Sequence, residues 1–121
     1  MRFLCRKCKL PITKDLTELK DYSVLCEEDG KDFLPEGVFF KSDGEYYTGS
    51  ENKIIVNIKD LINSERHPDS SRLNGCCGLD GLDGINTICK NGHEIGTERS
   101  DCWMSHSVIL ELENIEIQEN S

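Results

Sequence analysis

The chain has no long apolar run. No stretch approaches the roughly 18 consecutive apolar residues of a membrane-spanning helix. Met1 to Pro11 (MRFLCRKCKLP) carries basic residues but lacks the apolar segment of about 7–15 residues that marks a secretory signal. These two absences lead to the expectation of a cytoplasmic protein outside the membrane. Apolar residues are scarce throughout, 36% of 121 residues against 31% charged. That is low even allowing for glycine, which is counted in the roughly 45–50% of ordinary globular domains. At this length one domain is expected over residues 1–121, with a thin core and a tail over 114–121 that frays. Small domains with thin cores recruit staples, either disulfides or a bound metal.

Positive charge is also short: 14 Lys and Arg stand against 23 Asp and Glu, a formal charge of −9. Phosphate backbones and anionic lipid repel such a surface, so nucleic acid and membrane are poor partners and a basic protein is the easier one. Several motifs are missing as well. Gly78-Leu79-Asp80-Gly81-Leu82-Asp83-Gly84 repeats a Gly-Leu-Asp triplet, yet it lacks the alternate acids and distal Glu of a calcium loop. It also lacks the Lys-Ser/Thr of a phosphate loop, and reads as a glycine-rich turn whose aspartates cap backbone amides. A zinc deaminase is excluded because its glutamate motif and Pro-Cys-x-x-Cys are absent.

What is abundant is cysteine, seven in all. An odd count in a chain read as cytoplasmic fits ligation or redox chemistry better than a disulfide framework. Cys5-Arg6-Lys7-Cys8 can turn both sulfurs onto one ion, and its basic neighbours favour thiolate. Lys9-Leu10-Pro11 follows, and the proline argues against the helix that a thioredoxin-like pair would open. Ile85–Cys89 and His93–Thr97 are strand-like around Lys90-Asn91-Gly92, a strong hairpin turn, so Cys89 and His93 flank one tight corner. A tetrahedral site then takes Cys5, Cys8 and Cys89, with the fourth position open among Cys77, Cys76 and His93; Cys77 is the first choice. Zinc suits the mixed Cys/His donors better than iron. Cys26, isolated among acids, reads as a bystander.

The Cys5-x-x-Cys8 pair with the distant Cys89-Lys90-Asn91-Gly92-His93 hairpin resembles a zinc ribbon, in which two knuckles clamp one ion. The Cys-Gly-Leu-Asp-Gly and Ser-Asp-Cys-Trp phrases are similar to those of a group of small uncharacterised bacterial proteins. The resemblance covers both ends of the chain and not Thr13 to Asp60. It implies a structural zinc and no activity. Gly92 departs from the pattern, standing where a second knuckle cysteine would be, one residue before His93.

The remaining segments read as mainly β, a small antiparallel sheet of five or six strands with little helix. Thr13 to Asp43 reads mostly as loop, with one helical turn over Thr17–Lys20. A hairpin is predicted from Gly37–Phe40 and Glu45–Thr48 around Ser42-Asp43-Gly44, and a strand over Lys53–Asn57. About one and a half helical turns follow over Ile58–Asn63, then a mobile surface loop over Glu65–Asn74. Val108, Leu110 and Leu112 share one face of a strand whose phase slips at Glu113-Asn114.

Three functional classes follow: a non-catalytic zinc-stabilised module that binds or neutralises another protein, a redox or Cys-dependent enzyme using Cys102 or Cys5/Cys8, and a ribbon-type nucleic-acid adaptor. The first is favoured. Extended chain would hold Cys102 and His106 about 13 Å apart, too far for direct proton transfer, whereas a helical turn would bring them together. Asp80, Asp83, Arg99, Asp101 and Trp103 form the expected interaction face, since Trp and Arg are enriched at interface hot spots and acids steer a basic partner. The competing reading is that they pack and cap the metal loops.

Overall fold

In the computed structural model, which describes residues 1–42 and 53–119, the described residues form nine strands. These are β1 (Arg2–Cys5), β2 (Thr17–Glu18), β3 (Val38–Lys41), β4 (Ile54–Val56), β5 (Ser64–Arg66), β6 (Thr87–Cys89), β7 (Glu94–Arg99), β8 (Ser107–Leu110) and β9 (Ile115–Gln118). Seven form one sheet in the order β2-β3-β4-β8-β7-β6-β5, while β1 and β9 make a separate two-stranded ribbon. Every pairing is antiparallel except β2 with β3, so the large sheet is mixed. Among the described residues helix is limited to single 3-10 turns, such as Ile58–Asp60 and Leu112–Asn114.

The central position of β4 and β8 follows from their side chains. Both are buried along their whole length, which requires apolar cover on the two faces of the sheet. Alternation assigns the cover: Ile54, Val56, Val108 and Leu110 join Phe3, Ile12, Phe39, Ile95 and Ile115 on one side. Ile55 and Ile109 meet Leu19, Phe33, Leu34 and Phe40 on the other. The β1–β9 ribbon thus closes one face, with the Phe3 ring edge-on to Phe39 at 5.1 Å. A pair of that geometry contributes about 0.5–1.5 kcal/mol beyond its area. The irregular 19–34 segment closes the other face.

Several expectations are corrected. Thr17–Glu18 is not a helical turn but a short strand beside β3, its neighbours Leu16 and Leu19 turning inward to the two cores. The helix expected over Ile58–Asn63 stops after one 3-10 turn: Leu61 returns to extended backbone and bridges Thr13. The loop over Glu65–Asn74 contributes the edge strand β5, and Arg72 Nη1 ties it down through Glu94 at 2.7 Å and the Ile85 carbonyl at 3.1 Å. Within the tail expected to fray over 114–121, Ile115–Gln118 instead form β9, paired residue for residue with β1. The phase slip at Glu113-Asn114 is a 3-10 turn that lifts the chain out of the sheet and into the ribbon. In the predicted hairpin, Val38–Lys41 is a strand, and the part from Asp43 to Thr48 lies outside the described residues.

Gly96 sits in the central sheet where no side chain fits. A Cβ there would lie 2.5 Å from the Ile109 carbonyl oxygen, inside van der Waals contact with backbone of the neighbouring strand. Gly96→Ala should therefore cost about 1–3 kcal/mol, the range for overpacking a core, read as a lower midpoint in chemical denaturation; an unchanged midpoint would show that β7 and β8 are not packed this closely.

Candidate metal centre

Two hairpin corners converge at one end of the molecule. In the first, after β1, the Lys9 N–H donates to the Cys5 carbonyl at 2.7 Å and the Cys5 N–H donates to the Leu10 carbonyl at 2.8 Å. Lys9 accepts a left-handed φ of 61° to close this corner. In the second, between β6 and β7, the Gly92 N–H donates to the Cys89 carbonyl at 2.9 Å and the Cys89 N–H to the His93 carbonyl at 2.8 Å. Gly92 takes φ 86°, and nothing lies within 4 Å of where its Cβ would be, so the backbone angle alone calls for glycine. The second corner is one residue shorter than the first. Gly92 is consumed in making the turn, and the donor side chain is supplied by the next residue, His93.

Asn63 locks the corners together. It too has a left-handed φ, 51°, and its side-chain amide donates to the Pro11 carbonyl at 2.8 Å while its own carbonyl accepts the Lys90 N–H at 2.9 Å. From the other side Arg6 donates to the Ile115 carbonyl at 2.9 Å, and Asn114 donates to the Glu94 carbonyl at 3.0 Å. The ribbon, the sheet and both corners are thereby fixed to one another.

The result is a cluster of Cys5, Cys8, Cys89 and His93 that could hold a metal ion, their ligand atoms all within 4.8 Å of one another. Cys5 Sγ lies 3.6 Å from His93 Nδ1, Cys89 Sγ 3.5 Å from the same nitrogen, and Cys8 Sγ 3.8 Å from Cys89 Sγ. Cys5 and Cys89 are buried, Cys8 half-buried. Burial pushes the Cys5 thiol upward, whereas a hydrogen bond with the Asn91 side chain holds Cys8 down at about 6. A cluster with one thiolate already formed near neutral pH is prepared for a cation.

Cys77, expected as the fourth ligand, is elsewhere. It joins Cys76 and Cys102 in a second cluster of three exposed thiols that could also hold a metal ion. His93 stands beside the other three predicted ligands instead, because the corner places residue 93 over the first knuckle while residues 75–84 fold against the loop after β7. That loop is organised by Asp101, which is only 1% exposed. Its Oδ1 accepts from the N–H groups of Cys77 at 2.9 Å and Cys102 at 2.7 Å; its Oδ2 accepts from the Cys76 N–H at 2.9 Å and the Trp103 indole N–H at 2.8 Å. These donors, Cys77 and Cys76 foremost, hold the Asp101 carboxyl well below the usual carboxylate range. The thiols respond oppositely: a hydrogen bond with Cys77 is the main cause that pushes Cys102 up to about 12, and Cys76 is raised for the same reason.

The other predicted residues divide in the same way. Asp80 accepts the Leu82 N–H at 3.0 Å and Asp83 accepts the Asn74 side chain at 2.9 Å, so both act within the loop. Trp103 is 50% exposed and Leu82 69%. His106 Nε2 meets the Asp101 carbonyl at 3.0 Å, and its backbone pairs with Lys31 and Phe33. His106 is thus tied to backbone on both sides. Cys26 belongs to neither cluster. Sequence reasoning missed the three-thiol group, although the Cys-Cys pair and the Asp-Cys-Trp phrase were both visible; nothing local says that residues 25 apart in the chain face each other. Comparison with protein-family models, with curated proteins and with solved structures finds no match to this chain.

Two outcomes test this arrangement. Cys26→Ser should leave both bound metal and the thermal transition unchanged; loss of metal on that substitution would show that the ligand set differs. Asp101→Asn should lower Tm at neutral pH, because an amide cannot accept at both terminal atoms. Since the folded-state pKa of Asp101 is depressed, its stabilisation is present above the unfolded value of about 3.9 and is lost as pH falls toward the folded one. The Tm gap between native and variant chains should therefore narrow below about pH 4; a gap independent of pH would remove the ionised carboxylate from the account.

Proposed function

We propose that this protein is a non-catalytic, zinc-stabilised β module of zinc-ribbon type whose task is to bind another protein. One observation carries the reading: the spacing of the four donors in the buried cluster. With Zn–S near 2.3 Å and Zn–N of about 2.0–2.1 Å, a tetrahedron has S···S edges of about 3.8 Å and S···N edges of about 3.6 Å. The separations in the structure are 3.8 Å between Cys8 and Cys89, 3.6 Å between Cys5 and His93, and 3.5 Å between Cys89 and His93. Four protein donors fill a tetrahedral ion, and a filled ion offers no position to a substrate, which is the pattern of structural zinc. When bound, the ion supplies cross-linking between chain ends. Structural zinc sites in peptides have apparent binding energies of about 10–16 kcal/mol, comparable to the stability of a whole domain.

The binding role rests on different features. Trp103 is half exposed, yet its indole is pinned by Asp101, so the ring is presented in a fixed position. Rigid exposed tryptophans are favoured anchors because little conformational entropy is lost on contact. Leu82 and Asp83 are exposed on the 78–84 loop, and the net charge of −9 would steer a basic partner toward them. Asp101 is withdrawn from the expected face, since it is buried and its acceptors are used. The low pKa of Cys8 favours a second reading, a reactive thiol. Zinc content decides between them.

Protein purified under reducing conditions should hold zinc at this site, and Cys89→Ser or His93→Ala should lose it together with cooperative folding. Chelation at neutral pH should collapse the dispersed NMR spectrum; an apo form with unchanged dispersion would defeat the structural role. For the binding role, partners captured by the native chain should be lost with a folded Trp103→Ala variant, and recovery of the same set would remove this face from the proposal.

A further inference from the structure

We propose that Cys76, Cys77 and Cys102 form a second, exchangeable metal site, a three-thiolate seat for a thiophilic closed-shell (d10) cation, separate from the buried four-donor clamp.

The three sulfurs lie within 4.8 Å of one another although they come from two segments of chain. Their convergence is built by the surrounding backbone. A single carboxylate, Asp101, accepts the N–H of all three cysteines, which sets the three residues around one buried anchor. Leu79, itself buried, accepts the N–H groups of Ser100 and Asp101 at 2.8 and 3.1 Å and donates its own to the Ser100 hydroxyl at 3.1 Å, closing the two segments on each other. The approach is so close that side chains are excluded. A Cβ on Gly75 would meet the Gly78 carbonyl oxygen at 1.7 Å, and one on Gly78 would meet the Ser100 carbonyl oxygen at 2.3 Å.

The chemistry of the donors defines the ligand. Three sulfurs with no imidazole select soft ions over hard ones. Asp101 cannot serve as a fourth donor, because its two oxygens already accept four N–H groups. The ion would therefore be three-coordinate, as suits Cu(I), or carry one exogenous ligand, as suits Zn2+. All three thiols are exposed, so an ion can enter and leave without unfolding the domain. This separates the seat from the clamp, where Cys5 and Cys89 are buried and the four donors belong to two locked corners. An exposed seat with an open position is suited to accepting an ion from, or surrendering it to, another thiol ligand.

The test uses the full reduced chain under anaerobic conditions, titrated in separate arms with Zn2+ and with Cu(I) against a competing buffer ligand. Native protein should bind one equivalent more than the Cys76→Ser/Cys77→Ser/Cys102→Ser variant in at least one arm, and the arm that responds identifies the ion. The bound ion should protect the three thiols from alkylation, mapped by mass spectrometry on the native chain, and a mild chelator should strip it without unfolding the domain. Cys102→Ser alone should weaken this equivalent by tenfold or more. The proposal is overturned if native and triple-variant chains bind the same number of equivalents in both arms, or if the three thiols alkylate at the same rate with and without either ion. Because the readout is a difference at these cysteines, it stands or falls independently of whether the clamp is filled by zinc.

Discussion

Cys5 and His93 are 88 residues apart in the chain, and Cys8 and Cys89 are 81 apart, yet their donor atoms meet at 3.6 and 3.8 Å. Both hairpin corners at that end of the molecule are arranged around this closure. Among the described residues the β1–β9 ribbon makes no strand pairing with the seven-stranded sheet, so it is held by side-chain packing around Phe3, Ile12 and Ile115, by the Asn63 and Asn114 hydrogen bonds and by the meeting of the two corners. Three thiols and an imidazole in one half-buried space are a poor substitute for an apolar core when protonated, and they repel when ionised. A bound cation would turn the same group of atoms from a liability into a cross-link, the kind of staple that suits a chain with a small apolar fraction.

The far loops are held by a different device. Asp101 does with one carboxylate what a strand would do with a ladder: it satisfies the N–H groups of a segment too glycine-rich and irregular to pair with a neighbour. Asn86 plays the same part at the bulge between β6 and β7, its side chain accepting the Glu98 N–H at 2.6 Å and donating to the Glu98 carbonyl at 3.0 Å. Asn57 and Asp60 do so beneath β4, bonding the Leu34 carbonyl and the Gly37 N–H. Buried polar side chains of this kind fix loops where the main chain cannot complete its own hydrogen bonds. In this protein they leave the two thiol clusters on rigid backbone, one enclosed and one open.

Local chemistry determined a good part of this from the residues alone. The mainly β character, the turn at Lys90-Asn91-Gly92, the knuckle at Cys5–Cys8 and the isolation of Cys26 all depend on spacings of a few residues, where propensity and turn geometry act directly. Periodicity even marked the break at Glu113-Asn114, though it could not say that the chain would resume as β9 against β1. Spacing also grouped Cys5, Cys8 and Cys89, but which residue completes their site was beyond its reach. The choice of His93 over Cys77, the gathering of Cys76, Cys77 and Cys102, and the burial of Asp101 are set by sheet order and by the folding of residues 75–84 onto the loop after β7. Those contacts span from 21 to 88 residues of chain. Residue types and short spacings state what a side chain can ligate, but only the tertiary structure, by paying the entropy of long loops, decides which side chains come within 4 Å of each other.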